Sequence, residues 1–170
     1  MRELILGGAR SGKSALAEQR AAASGLAVTY IATAQALDEE MAARIEQHQQ
    51  QRPAHWELVE EPLELAAALK QYAAVDRCLL VDCLTLWLTN LLTDDPAFER
   101  RRDEFLELLP QLPGEIILVS NEVGLGIVPL GELTRRFCDE GGRLHQAVAA
   151  RCERVTFVTA GLPMILKGEQ

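Results

Sequence analysis

The chain has 170 residues, 48% of them hydrophobic and 25% charged, with a formal net charge of −8. That length and balance suit one folded domain with one core and exclude a disordered chain. The acidic excess argues against a nucleic-acid or anionic-lipid partner, since both carry dense negative charge.

The first apolar run, Leu4-Ile-Leu6, is too short for a signal peptide, and no stretch approaches the ~20 apolar residues that span a bilayer. A cytoplasmic protein without a membrane span is expected. Cys78, Cys83, Cys138 and Cys152 form no C-x-x-C pair. Buried, reduced thiols are the expectation for them.

In chain order, Glu3–Leu6 predicts a strand that runs straight into Gly7-Gly-Ala-Arg-Ser-Gly-Lys-Ser14. Gly7, Gly12, Lys13 and Ser14 fill every fixed position of G-x-x-x-x-G-K-[ST], between a strand and a helix-prone run at 13–23. The glycines let the backbone curl so that the amides of Gly7, Gly8, Ala9, Arg10, Ser11 and Gly12 face a phosphate, aided by the helix N-terminus. Lys13 is expected to reach the β- and γ-phosphates, and the Ser14 hydroxyl to ligate Mg²⁺.

A second strand is predicted at Ala27–Ala32, followed by Thr33, Ala34 and Gln35. Residues 38–51 predict a helix, with Asp38 as cap and Pro53 beyond its end. Arg44, His48 and Arg52 lie four apart and so share one side of it. Two guanidinium groups flanking an imidazole suit a phosphate-facing surface. They also favour the neutral, nucleophilic imidazole. On composition alone, His48 is a surface histidine more readily than a catalytic one.

Helices are predicted near 62–74, 84–92 and 98–109, with strands at Cys78–Asp82 and Glu115–Ser120. Asp82 ends a buried apolar strand; it either holds Mg²⁺, directly or through water, or caps the helix that follows. Asp94-Asp95-Pro96 and Pro110–Gly114 read as turns. The last helix, 132–152, is expected to break at Gly141-Gly142 before a final strand at Val155–Thr159. The strands are apolar without polar alternation, as in a parallel sheet buried on both faces. The whole chain, 1–170, is thus read as a single α/β domain of P-loop NTPase type, a mostly parallel sheet flanked by helices. Ligands of such sheets bind beyond the carboxyl ends of the strands.

Several segments together resemble one family. They are the phosphate loop, Tyr30-Ile-Ala-Thr-Ala34, Asp38–Ile45 with His48, and Arg52-Pro-Ala-His-Trp56. Asp82-Cys-Leu-Thr85, Trp87-Leu-Thr-Asn90 and Asn121–Pro129 complete the set. The family is the bifunctional adenosylcobinamide kinase/adenosylcobinamide-phosphate guanylyltransferase of cobalamin biosynthesis. The resemblance implies phosphorylation of adenosylcobinamide by ATP or GTP. GMP transfer from GTP to that phosphate follows, giving adenosylcobinamide-GDP and pyrophosphate. It implies a guanylyl group carried on His48, with Lys13 and Arg10 offsetting charge on the leaving group. It adds Thr33, Ala34, Gln49, Arg52 and Glu60 to the nucleotide site, Glu60 through a guanine, beside Asp82 and the loop. For Asn121 and Glu122 it leaves positioning of acceptor or metal beside simple turn formation. It also implies a homo-oligomer with a corrinoid substrate. His145 stands where family members commonly carry Asn.

Overall fold

The structure is a computed structural model that describes residues 1–35, 39, 42–43, 53–94 and 96–169. Its strands are β1 (Arg2–Gly7), β2 (Ala27–Ala32), β3 (Glu57–Glu60), β4 (Arg77–Asp82), β5 (Glu115–Asn121), β6 (Arg154–Thr159) and β7 (Leu162–Lys167). Its helices are α1 (Lys13–Ala23), α2 (Leu65–Tyr72), α3 (Leu84–Asp94), α4 (Phe98–Leu108) and α5 (Glu132–Arg151), with a 3₁₀ turn at Leu109–Gln111. Of the helix predicted at 38–51, Glu39, Ala42 and Ala43 are described and are helical. The rest of it lies outside the described residues.

The strands form one sheet in the order β3-β2-β4-β5-β1-β6-β7. Every neighbouring pair is parallel except β6 and β7. Because side chains alternate across a strand, each apolar run feeds two cores. Leu4, Leu6, Leu79, Val81, Ile116 and Leu118 pack on one face against α2 to α5, around the fully buried Trp87 and Phe105. Ile5, Val28, Tyr30, Leu80, Ile117 and Val119 pack on the other against Ala17 and Ala21 of α1 and the buried Trp56. Burial on both faces is why these strands carry no polar alternation. No helix among the described residues is long and apolar enough to cross a membrane.

Three features differ from the sequence expectation. Helix α5 runs unbroken through Gly141-Gly142. Gly141, Leu144 and Val148 form its buried stripe, and that packing outweighs a cost of about 1 kcal/mol per glycine. Strands β3 and β7 were not predicted. Both are sheet edges, which have less need of an apolar run. β3 reads Glu-Leu-Val-Glu. β7 contains Pro163, tolerated at an edge where its missing N–H breaks no central ladder. Ala160 and Gly161, both at positive φ (50° and 76°), make the two-residue turn that folds β7 back on β6. Of the four thiols, all free, Cys138 is only half-buried. Burial pushes Cys83 and Cys152 up to about 12 and Cys78 up to about 11, so these three stay protonated and unreactive.

One buried ion pair anchors the start of the chain. Glu3, 1% exposed, pairs with Arg20 of α1. It also accepts a hydrogen bond of 2.9 Å from the Thr156 hydroxyl of β6. Arg20 in turn donates to Thr156 Oγ1 at 3.0 Å. The triad fixes β1, α1 and β6, the three elements that frame the phosphate loop. Removing one partner of a buried pair strands the other charge. Glu3→Ala is therefore expected to cost about 3–5 kcal/mol, read as a lowered urea midpoint with unchanged slope.

Candidate active site

The loop after β1 closes on itself as the motif requires. Ser11 N–H donates to Gly8 O at 3.3 Å and Leu16 N–H to Gly12 O at 3.0 Å. Arg10 and Gly12 lie at positive φ, 53° and 94°. Gly12 is the residue on which α1 starts. The glycines are steric requirements as well as conformational ones. A Cβ on Gly7 would stand 2.4 Å from Ser11 Oγ and 2.6 Å from Val158 O. The β6–β7 turn braces the loop from behind, with Gly161 N–H donating to Ser11 O at 2.8 Å. Ala9 and Arg10 are exposed at the loop's crest and Ser14 is half-buried in the first turn of α1.

Lys13 is 9% exposed, and its ammonium donates to Gly8 O at 3.1 Å. Among the described residues no carboxylate pairs with it. A cation held this way makes a strongly anion-seeking point. The Ser11 hydroxyl, 7% exposed, has no hydrogen-bond partner among the described atoms. It is a further group a ligand could satisfy.

The other candidates sit along the same carboxyl edge of the sheet. Asp82 ends β4 and accepts a hydrogen bond of 3.1 Å from the Tyr30 hydroxyl of β2. It does not cap α3. Cys83 takes that place, its carbonyl accepting from Trp87 N–H at 3.2 Å and its sulfur from Leu86 N–H at 3.4 Å. Thr33 is fully buried and its hydroxyl is spent internally, donating to Cys83 O at 2.7 Å and accepting from Cys83 N–H at 2.9 Å. It therefore fixes the β2 and β4 ends together, while Ala34 follows it half-exposed. Glu60 ends β3 and is exposed; its neighbour Glu61 turns inward to accept from the N–H groups of Leu63 and Glu64. His55 is exposed and Trp56 is in the core. His48, Gln49 and Arg52 lie outside the described residues.

Mg²⁺ suits this donor set. Ser14 and Asp82 offer hard oxygens, and Mg²⁺ is commonly held by one or two protein groups with the rest supplied by phosphates and water. At the end of β5, next to Gly7 in the β1–β5 register, Asn121 Oδ1 is buried with no hydrogen-bond partner among the described atoms.

A network that the sequence did not reveal lies at the end of β5. Asn121 N–H donates to Thr85 Oγ1 at 2.6 Å. Thr85 Oγ1 and Ser120 Oγ are 3.1 Å apart, and Ser120 Oγ and His145 Nε2 are 2.7 Å apart. His145 Nδ1 faces Glu122 Oε2 at 3.9 Å. Burial lowers the His145 pKa from its ordinary value, against an opposite pull from Glu122, so the ring is neutral near pH 7. The sequence signal was the Ser-Asn-Glu run at a strand's carboxyl end. Its partners on α3 and α5 are remote in the chain and carry no local pattern.

A profile of the family described as cobinamide kinase / cobinamide phosphate guanyltransferase matches residues 3–166. The chain belongs to this family. The enzyme is 69% identical over 171 residues to the bifunctional adenosylcobalamin biosynthesis protein CobP of Pseudomonas aeruginosa, covering 99% of each chain. It is 42% identical over 181 residues to the CobU protein of Salmonella typhimurium, covering 96% of this chain and 98% of that one. The flagellar accessory protein FlaH of Methanocaldococcus jannaschii has a similar fold, with a TM-score of 0.56 at 14% identity, covering 99% of this chain and 78% of that one. That likeness concerns the α/β architecture alone. As a cobinamide kinase and cobinamide-phosphate guanylyltransferase, the enzyme works on nucleotide and corrinoid substrates in adenosylcobalamin biosynthesis.

Proposed function

We propose that the loop at Gly7–Ser14 holds the triphosphate for both reactions of this enzyme in turn. The observation that carries this reading is the buried Lys13 ammonium, presented by a closed loop of main-chain amides. In the kinase step the acceptor's aminopropanol oxygen attacks the γ-phosphorus of ATP or GTP. The bond to the β-bridging oxygen breaks and the nucleoside diphosphate leaves. In the guanylyl step a neutral His48 nitrogen attacks the α-phosphorus of GTP and pyrophosphate leaves. An oxygen of adenosylcobinamide phosphate then takes the GMP and frees the imidazole. Splitting the transfer lets one pocket serve two acceptors.

Each residue has a stated part in this scheme. Lys13, the loop amides and Arg10 offset charge on the departing phosphates. Ser14 and Asp82 would hold Mg²⁺, which when bound offsets charge across the β- and γ-oxygens. The Tyr30 hydrogen bond fixes the orientation of the Asp82 carboxylate for this task. Gln49 and Arg52, close to His48 in the sequence, are assigned to the nucleotide's phosphates. Ala34 lines the nucleotide on a strand end that the buried Thr33 fixes, and the exposed Glu60 carboxylate accepts from the guanine N1–H and amino group. The thiols held protonated by burial suit a cytoplasmic enzyme. Exposed Leu125, Ile127, Val128 and Leu130 are the surface on which we place the homo-oligomer contact.

The test supplies adenosylcobinamide in two stages. With ATP and Mg²⁺ alone, the expected product is the phosphate ester. Adding GTP should convert it to the GDP derivative with release of pyrophosphate. A protein that guanylylates the phosphate ester yet never forms it from the alcohol would contradict the shared-site scheme.

A further inference from the structure

The scheme above leaves one proton unassigned. The acceptor hydroxyl of the kinase step must lose it as the oxygen bonds to phosphorus. One supported carboxylate lines a cavity and belongs to a residue whose backbone is bonded to the first residue of the phosphate loop. Asn121 pairs with Gly7 in the β1–β5 register, and Glu122 N–H donates to Gly7 O at 3.1 Å. Glu122 thus leaves the sheet beside the first residue of the loop. It also lines a cavity of about 580 Å³ between residues 123–129 and α5, with Val128, Arg135, Asp139 and Arg143 around it. Asp139, the other carboxylate lining it, is exposed and sits on α5 rather than at the end of a strand beside the loop. Asp82 is engaged by Tyr30.

The Glu122 carboxylate has one hydrogen bond and one facing imidazole. Gly124 N–H donates to Oε1 at 2.6 Å, and Oε2 faces His145 Nδ1 at 3.9 Å. The carboxylate favours the tautomer with its proton on Nδ1. His145 Nε2 then accepts from the Ser120 hydroxyl at 2.7 Å. Ser120 Oγ accepts in turn from Thr85, and Thr85 from Asn121 N–H. With that tautomer the Thr85 and Ser120 hydroxyl protons can run one way, toward His145, whose Nδ1 faces Glu122 across 3.9 Å.

We propose that Glu122 is the general base of the phosphoryl-transfer step, with His145 as its positioning residue. This rests on the reading of the phosphate loop given above. The acceptor O–H bond breaks as its oxygen bonds to the γ-phosphorus. The proton passes to a Glu122 carboxylate oxygen, and the nucleoside diphosphate leaves with the bridging oxygen. Solvent in the open cavity then takes the proton from Glu122. Loading of GMP onto the enzyme deprotonates no acceptor alcohol, so it does not call on this carboxylate.

The experiment compares two rates in the full-length protein. One is ATP-dependent phosphorylation of adenosylcobinamide, and the other is enzyme labelling by GTP. In Glu122→Gln, an isosteric change, the ratio of the first to the second should fall about 10²–10⁴-fold. The loss should lie in kcat, with KM for the corrinoid little changed. His145→Ala should lower the same ratio about tenfold, the scale of one lost hydrogen-bond-sized interaction. His145→Asn keeps a donor near the Nδ1 position and should restore it. An unchanged ratio in Glu122→Gln would overturn the proposal, whether both rates persisted or both fell together. Wild-type protein that made neither product would overturn the phosphate-loop reading and this inference with it.

Discussion

Lys13→Ala is expected to lower both the kinase and the guanylyl-loading rates by about 10²–10³ without costing the protein stability. The first half follows from placement. Lys13 is the first residue of α1, and its ammonium is held inside the phosphate loop by Gly8 O. Both chemical steps drive negative charge onto the leaving phosphates, and in the proposed scheme the same cation faces them in each. The second half follows from what Lys13 lacks. It is nearly buried and makes one hydrogen bond to a carbonyl, so without a ligand its charge is desolvated without full compensation. Removing it should leave the melting temperature unchanged or raised. Parallel kinetics and thermal melts check both halves. A variant that lost one activity and kept the other would argue for separate nucleotide sites.

His48→Ala should separate the two activities. Guanylyl transfer is expected to fall at least about 10³-fold, as when a covalent nucleophile is removed. Phosphorylation of adenosylcobinamide should continue, because its attacking oxygen comes from the substrate. The same protein should thus accumulate adenosylcobinamide phosphate from ATP and stop there. Product analysis by chromatography reads this directly. If the variant made the GDP derivative at the wild-type rate, GMP would have to pass to the corrinoid without resting on His48.

The contrast between these two residues marks what the sequence could say. The loop was legible because its geometry is local. Gly7, Gly12, Lys13 and Ser14 lie within eight residues, and the strand and helix around them have strong patterns. The five central strands were legible because burial on both faces demands unbroken apolar runs, as in Cys78-Leu-Leu-Val81. The edge strands were not, since β3 ends in glutamates and β7 carries Pro163. Asp82 was half legible. Its strand could be read, but the choice between cap and ligand turned on Cys83, whose carbonyl and thiol take up the first amides of α3. Thr33 was read as a nucleotide contact, and the structure shows its hydroxyl bound to the Cys83 backbone. Glu122 stood out at a strand's end, but the Thr85–Ser120–His145–Glu122 chain could not be read, because its members come from α3, β5, α5 and the residue after β5 and meet only when the sheet is built.

Guanylyl transfer in this scheme requires GTP to give its GMP to the His48 imidazole. Intact-mass spectrometry after exposure to GTP and Mg²⁺, followed by peptide mapping, tests this most directly. One GMP per chain, acid-labile and base-stable, on the peptide and side chain of His48 is the expected result. A GMP on any other residue, or guanylyl transfer proceeding with no adduct at all, would contradict it.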